Sequence, residues 1–166
     1  MLLRFRMTPT EHPNLKRIPA EIIATGFGSG LWPIAPATAG SAAALLLYWT
    51  LPINGTGNSV TFFAMIAATL VIGTWAAGKV GTPSNPDPKR VVIDEWVGVW
   101  ATVAFLPTTW YWLLAGFLAF RVLDIAKPFG IRKLEQVHGG FGVMLDDLAA
   151  GIAGAIILNA TRLVFF

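Results

Sequence analysis

The stretch Asp94-Glu95-Trp96-Val97-Gly98-Val99-Trp100-Ala101-Thr102-Val103-Ala104-Phe105-Leu106 sets two adjacent acids at the mouth of a run with no other charge. A carboxylate pair at the start of a hydrophobic helix is costly unless something cationic neutralises it. A metal ion is the expected partner. Of the 166 residues, 55% are apolar and only 13% charged, more apolar and less charged than a soluble domain. The expected fold is all-α: a single polytopic membrane-embedded domain over 1–166, with about four to five transmembrane or re-entrant helices and an N-terminal interfacial helix.

The flanking runs supply the spans. From Ile34 to Ile53 there are 20 residues without a charge, and from Val60 to Gly78 another 19. At ~1.5 Å per residue each covers roughly 30 Å, the hydrocarbon thickness of a bilayer. The link 54–59 is uncharged, whereas the loop 79–90 carries Lys79, Lys89 and Arg90, and the arm 1–19 carries Arg4, Arg6, Lys16 and Arg17. Basic loops stay in the cytosol, so the arm and the 79–90 loop are expected inside and 54–59 outside. The arm has three prolines and no continuous apolar core, and reads as a cytosolic arm and not a signal peptide. After it, Pro19 and Glu21 suit the first turn of a short helix lying on the membrane surface. Residues 91–106 enter from the cytosolic side, Pro107-Thr108-Thr109 turn, and 110–120 return; tilted, thinned and re-entrant arrangements are all compatible with such short runs. Pro128 should end the helix that carries Arg121, Asp124 and Lys127. Residues 129–138 fit an amphipathic interfacial helix or loop, Gly139-Gly140-Phe141-Gly142 a flexible turn, and Asp146-Asp147 the opening of a last apolar run. Most of the seven tryptophans lie near the ends of apolar runs, as interfacial anchors do.

On this topology Asp87, Asp94, Glu95, Asp124, Asp146 and Asp147, six of the nine acids, gather at the cytosolic face. With no cysteine in the chain and no histidine among these acids, the donor set favours a hard divalent cation such as Mg²⁺ or Mn²⁺. The alternative is that the acids merely complement helix N-termini, with no metal. Arg121, Lys127, Arg132 and Lys133 add positive charge on the same face, and cations beside a carboxylate–metal cluster suit a phosphate substrate. Arg132 and Lys133 read better as contacts to anionic lipid headgroups. His138 is either an ordinary loop residue or a proton donor near the phosphate, and His12 is solvated. The segment 26–41, with four glycines and two prolines, either walls a site or forms an interfacial loop, and its alternating glycines allow backbone N–H groups to converge on an anion. No basic patch interleaves with exposed aromatics, so no nucleic-acid partner is expected. A cation transporter or channel is the competing class, but the outer half of every span is free of acids.

Several stretches taken together resemble one family. They are Gly26-Phe27-Gly28-Ser29-Gly30-Leu31 with Pro33-Ile34, Pro36, Thr38 and Gly40-Ser41; Val92-Ile93-Asp94-Glu95 with Gly98; Phe120-Arg121 with Leu123-Asp124 and Lys127-Pro128; and His138-Gly139-Gly140 with Gly142-Val143-Met144-Leu145-Asp146-Asp147 and Ala150-Gly151. In order and content these resemble bacterial phosphatidylglycerophosphatase A, over roughly 24–158. The resemblance implies a Mg²⁺-dependent lipid phosphatase of the bacterial inner membrane, multi-pass with a cytoplasmic N-terminus, that converts phosphatidylglycerophosphate to phosphatidylglycerol. Its partners would be that phospholipid and the surrounding membrane lipids. Carried over by position, Asp94, Glu95, Asp124, Asp146 and Asp147 become the metal ligands and catalytic acids, with Asp87 seven residues before Asp94 as in relatives. Lys127, counted with the catalytic residues, and Arg121 would hold the phosphate, with Gly28, Ser29, Thr38 and His138 as further substrate contacts. Attack by a metal-activated water and attack by an aspartate are both open. The spacing of a CDP-alcohol phosphotransferase is absent. Ala37 departs from the family's Pro-Gly-Thr turn, which puts a direct role of that turn in doubt if it needs positive φ.

Overall fold

The computed structural model describes residues 17–51, 59–128 and 130–165. The arm before residue 17 and the link 52–58, with the orientation expected of them, lie outside the described residues. The chain forms α1 (Ile18–Ala24), α2 (Pro36–Thr50), α3 (Ser59–Val80), α4 (Ile93–Val103), α5 (Trp110–Ala126) and α6 (Gly140–Phe165), with short 3-10 turns at Ser29–Leu31 and Ile131–Gln136. Among the described residues the only β pairing is an isolated bridge between Thr82 and Asn85. Prolines begin α1 and α2, where a missing N–H costs nothing. α5 stops at Ala126 because Lys127 turns into the left-handed region, at φ 43, ahead of Pro128.

The stretch of acids and apolar residues becomes α4, and α4 is the centre of the bundle. Each of its residues from Ile93 to Val103 is buried. It packs most extensively on α6, and α2, α3 and α5 complete the ring around it. At 11 residues α4 rises only about 16 Å, roughly half the thickness of a bilayer's hydrocarbon core. Its end leaves the Ala104 carbonyl without a helical partner, and Asn159 Nδ2 on α6 donates to it at 3.2 Å.

α3 and α6 are long and apolar enough to cross a membrane. Only 28% of the apolar window of α3 and 39% of that of α6 are buried, so most of their apolar surface points out of the bundle. α2, with 15 residues, and α5, with 17, are apolar but shorter. The expected span 34–53 is therefore trimmed: Pro36 starts the helix and Leu51 leaves it in an extended conformation.

Two expectations change. Trp96, Trp100 and Trp112 belong to the core, while Trp32, Trp49, Trp75 and Trp110 are exposed; a tryptophan fills core space as well as it anchors at an interface, and Trp100 Nε1 is satisfied by the Ala44 carbonyl at 2.9 Å. The glycine run 139–142 is a turn only at Gly139, with φ +81. Gly140 already begins α6, and a Cβ on Gly142 would strike the Val137 carbonyl.

α1, the loop after α3 and the start of α4 are tied together at one corner. Arg90 grips Glu21 of α1 at 3.0 and 3.1 Å, Val92 N–H donates to the Ala24 carbonyl, and Arg17 reaches the Lys79 carbonyl at 2.8 Å. These contacts fix where the chain enters α4.

Candidate active site

Glycines at the α4–α6 crossing bring the two acid pairs together. A Cβ on Gly151 would collide with the Gly98 carbonyl, and one on Gly98 would run into the Phe120 ring and the Asp147 carbonyl. Small residues let the two backbones meet. Each glycine lies one turn beyond an acid, Gly98 after Asp94 and Gly151 after Asp147, so the contact that joins the helices also sets the carboxylates side by side. Asp94, Glu95, Asp146 and Asp147 are all buried. The pairs share a local design: Asp94 Oδ1 accepts from Glu95 N–H at 3.0 Å, and Asp146 Oδ1 from Asp147 N–H at 3.1 Å. Asp94 and Glu95 occupy the first turn of α4, where a helix N-terminus favours negative charge. Asp146 and Asp147 do not open a helix as expected from sequence, because α6 begins at Gly140. Helix-end charge therefore explains one pair and not the other.

Two cations enter the cluster. Arg121 Nη1 donates to Glu95 Oε2 at 2.6 Å and lies 3.1 Å from Asp124 Oδ2. Lys127 Nζ meets Asp146 Oδ2 at 2.5 Å. Lys127 is the one member of the Arg121, Asp124, Lys127 series outside the helix; its left-handed backbone before a proline is strained, and it turns the ammonium toward α6. The Ser41 hydroxyl on α2 lies 3.0 Å from Glu95 Oε2 and 2.9 Å from the Ala37 carbonyl. Asp147 Oδ2 is buried with no hydrogen-bond partner, while Asp94, Glu95, Asp124 and Asp146 all act on its charge.

The donor chemistry is of the kind a hard divalent cation takes. Five carboxylates face two cations, the donors are all oxygen, and one buried oxygen is orphaned, which is costly in a low-dielectric site. Among the described residues no three of these side chains converge at ligand distance from a common point. Glu95 and Asp146 each turn an oxygen to Arg121, Ser41 or Lys127 instead, so the carboxylates are gathered but not closed into a shell.

Beside the Lys127–Asp146 pair lies a cavity of about 590 Å³ with charged groups in its wall, lined among others by Asp87, His138, Gly139 and Gly142. Asp87 and His138 are exposed at its rim, and Asp124 faces the cluster through Arg121. The structure thus links Glu95 and Asp124 through Arg121 and Asp146 to Lys127, buries Asp94 and Asp147 next to Glu95 and Asp146 in the chain, and sets Asp87 and His138 at the adjoining cavity.

The glycine-rich segment does otherwise. Gly26, Phe27 and Gly28 run through three successive left-handed conformations. The amides of residues 26–32 all donate to carbonyls of residues 22–29, so no nest of free N–H groups is presented to an anion. The Ser29 hydroxyl closes the same turn on the Gly26 carbonyl at 2.9 Å, and Thr38 is exposed. Among the described residues no hydrogen bond joins Gly28, Ser29 or Thr38 to the acids. What the segment does is wall α4: a Cβ on Gly26 would strike Trp96, and one on Gly30 the Arg90 carbonyl. Ala37 is helical, and the left-handed residue is Ala35, at φ 51, so position 37 does not need positive φ. Ser41 had no role in the sequence reading. Its adjacency to Gly40, which packs on Val92, was the available signal that it faces α4.

With this geometry in hand, the chain can be set beside known proteins. The model of the family described as phosphatidylglycerophosphatase A matches residues 22–162. A Bacteroides thetaiotaomicron protein, provisionally named a phosphatidylinositol-3-phosphatase, is 43% identical over 150 residues, covering 86% of this chain and 93% of the relative. The phosphatidylglycerophosphatase A of Escherichia coli is 40% identical, over 84% of this chain and 81% of its own. That of Haemophilus influenzae is 38% identical, over 92% and 97%. No solved structure matches the chain.

Proposed function

The chain belongs to the phosphatidylglycerophosphatase A family and is a phosphoric monoester hydrolase; from that premise we propose that it hydrolyses phosphatidylglycerophosphate to phosphatidylglycerol and phosphate, at the cytosolic face of the bacterial inner membrane, with Mg²⁺. The observation that carries this reading is the buried, over-negative acid cluster around the orphaned Asp147 Oδ2, opening beside a cavity with a lysine in its wall.

The lipid's phosphomonoester enters the cavity beside Lys127 while its acyl chains stay in the bilayer. Lys127 and Arg121 hold the phosphate by charge and hydrogen bonds. Ser41 and Arg121 keep the Glu95 carboxylate in one orientation, and Asp124 does the same for Arg121. Mg²⁺, held by Asp94, Glu95, Asp146 and Asp147 with Asp124 in reach, would neutralise phosphoryl oxygens and acidify a bound water. A carboxylate of the cluster would take the proton from an attacking water, or would attack phosphorus itself, with water then releasing the phosphate. His138, at the rim, protonates the departing glycerol oxygen. Burial of the cluster beneath α2, α3 and α5 excludes bulk water from the charges. In this reading α2, α5 and the re-entrant α4 complete a multi-pass bundle with α3 and α6, and α1 rides the cytosolic interface with the N-terminus inside.

The name of the Bacteroides relative favours a second substrate, a phosphoinositide monophosphate, whose phosphate would meet the same groups. Phosphate release by the purified protein from both lipids, with Mg²⁺ and then with chelator, tests the proposal. Release from phosphatidylglycerophosphate that stops on chelation is expected; release from neither lipid would overturn it.

A further inference from the structure

The cavity of about 590 Å³ beside the Lys127–Asp146 pair is much larger than one phosphate group, and its size falls in the range of small-ligand sites. Its charged part is Lys127 and Asp146, with Asp87 also in the wall. Asp87 acts on the charge of Asp94 as well, so the cavity adjoins both acid pairs. The remaining wall is made mainly of neutral groups, Gln136, Val137, Gly142 and Val143 among them.

That neutral wall is built onto α6. The 3-10 turn Ile131–Gln136 is anchored by the buried Ile131 and ends at Gln136, where the Val137 N–H closes on the Leu134 carbonyl at 3.0 Å. Val137 then lies against Gly142, where a Cβ would strike its carbonyl. Gly142 precedes Asp146 by four residues on the same face of α6, a rise of about 6 Å. A headgroup whose phosphate meets Lys127 therefore has its neutral remainder beside Gln136 and Val137.

Gln136 differs from the charged side chains of the cavity. Its amide both donates and accepts without carrying charge, as a hydroxyl does, whereas a lysine only donates and a carboxylate only accepts. It is exposed, and among the described residues no hydrogen bond engages its amide. His138, the other neutral polar group in the lining, is already used at the departing oxygen.

We propose that this neutral wall is a subsite for the hydroxyl-bearing part of the headgroup, and that Gln136 selects phosphomonoesters carrying a free hydroxyl over those carrying none. Resting on the lipid phosphatase reading above, this sorts substrates by headgroup. Phosphatidylglycerophosphate and a phosphoinositide monophosphate both present a hydroxyl beside the phosphate; phosphatidic acid presents none. A glutamine that is merely solvated would treat all three alike.

The test uses the full chain in phosphatidylcholine vesicles with Mg²⁺. Phosphate release is followed from phosphatidylglycerophosphate, and phosphatidic acid of the same acyl chains is supplied as a substrate or, where it is not turned over, as a competing inhibitor. Gln136→Ala should raise KM for phosphatidylglycerophosphate about three- to tenfold, the worth of one hydrogen bond, with kcat little changed. The KM or inhibition constant of phosphatidic acid should not move. Equal changes for both lipids, or none, would overturn the subsite. A second readout does not depend on turnover. The chain has no cysteine, so Val137→Cys places a single thiol in the cavity wall. Glycerol 3-phosphate should slow its alkylation by a maleimide at about three- to tenfold lower concentration than inorganic phosphate, and adding Gln136→Ala should remove that difference. Equal protection by the two anions, or protection by neither, contradicts the proposal. A wild-type protein that releases phosphate from no lipid defeats the lipid phosphatase reading, and the protection pattern then decides the subsite by itself.

Discussion

Gly98 of α4 and Gly151 of α6 lie backbone against backbone, one turn beyond Asp94 and Asp147 respectively, so the packing of two helices and the spacing of two carboxylates are one geometric fact. Gly98→Ala has to displace the Phe120 ring and the Asp147 backbone. It should cost about 1–3 kcal/mol in stability, as overpacking does, and lower turnover more than stability alone explains. Thermal unfolding in detergent read beside phosphate release checks this; an alanine variant with wild-type turnover would separate the crossing from the site.

Lys127, just past the end of α5, and Asp146 of α6 form a partly buried ion pair. Lys127→Met should destabilise by about 2 kcal/mol, because it strands the partner carboxylate, a cost reduced from the fully buried case by solvent access. Adding Asp146→Asn should restore most of that stability and none of the turnover. A double-mutant cycle on unfolding and on kcat gives the comparison.

Ser41 positions Glu95 and does not meet the phosphate in this account. Ser41→Ala should lower kcat by about tenfold with little change in KM, since the carboxylate keeps its charge and loses one restraint. A rise in KM alone would make Ser41 a substrate contact.

Glu21 lies outside the spans, and its hydrogen bond from Arg90 holds its carboxyl below the usual range. A folded value below the unfolded one, near 4.3, stabilises the protein above that pH and is lost as pH falls through the folded value. The pair is well exposed, so its worth is about 0.5 kcal/mol. The difference in melting temperature between wild type and Glu21→Gln should shrink as pH is lowered from 7 to 3 and as salt is raised.

Charge is what made the site legible in the sequence. Acids inside apolar runs are anomalies wherever they fall, so Asp94, Glu95, Asp146 and Asp147 stand out before any fold is known, and the cations at 121 and 127 follow them. Glycine was read less well, because a sequence shows that a Cβ is absent and not what it would have struck. Gly140 and Gly142 thus resembled a turn, yet they pack as helix, and the glycines at 26 and 28 resembled an anion nest whose amides prove to be used internally. Tryptophan is ambiguous for a similar reason, being suited to core and interface alike. The Lys127–Asp146 and Ser41–Glu95 contacts join residues 19 and 54 positions apart. Each depends on how helices are placed around α4, which no local pattern encodes.

The central claim is that the orphaned Asp147 oxygen belongs to a metal-dependent phosphatase site. Asp147→Asn removes a buried charge at nearly constant shape, so the apo protein should melt no lower than wild type. Mg²⁺ should raise the wild-type melting temperature and shift the variant less. The decisive measurement is phosphate release from phosphatidylglycerophosphate by wild type and Asp147→Asn, each with Mg²⁺ and with chelator. The account predicts metal-dependent release by wild type and a loss of at least about a hundredfold in the variant; full turnover by Asp147→Asn, or release by wild type that chelation leaves untouched, would contradict it.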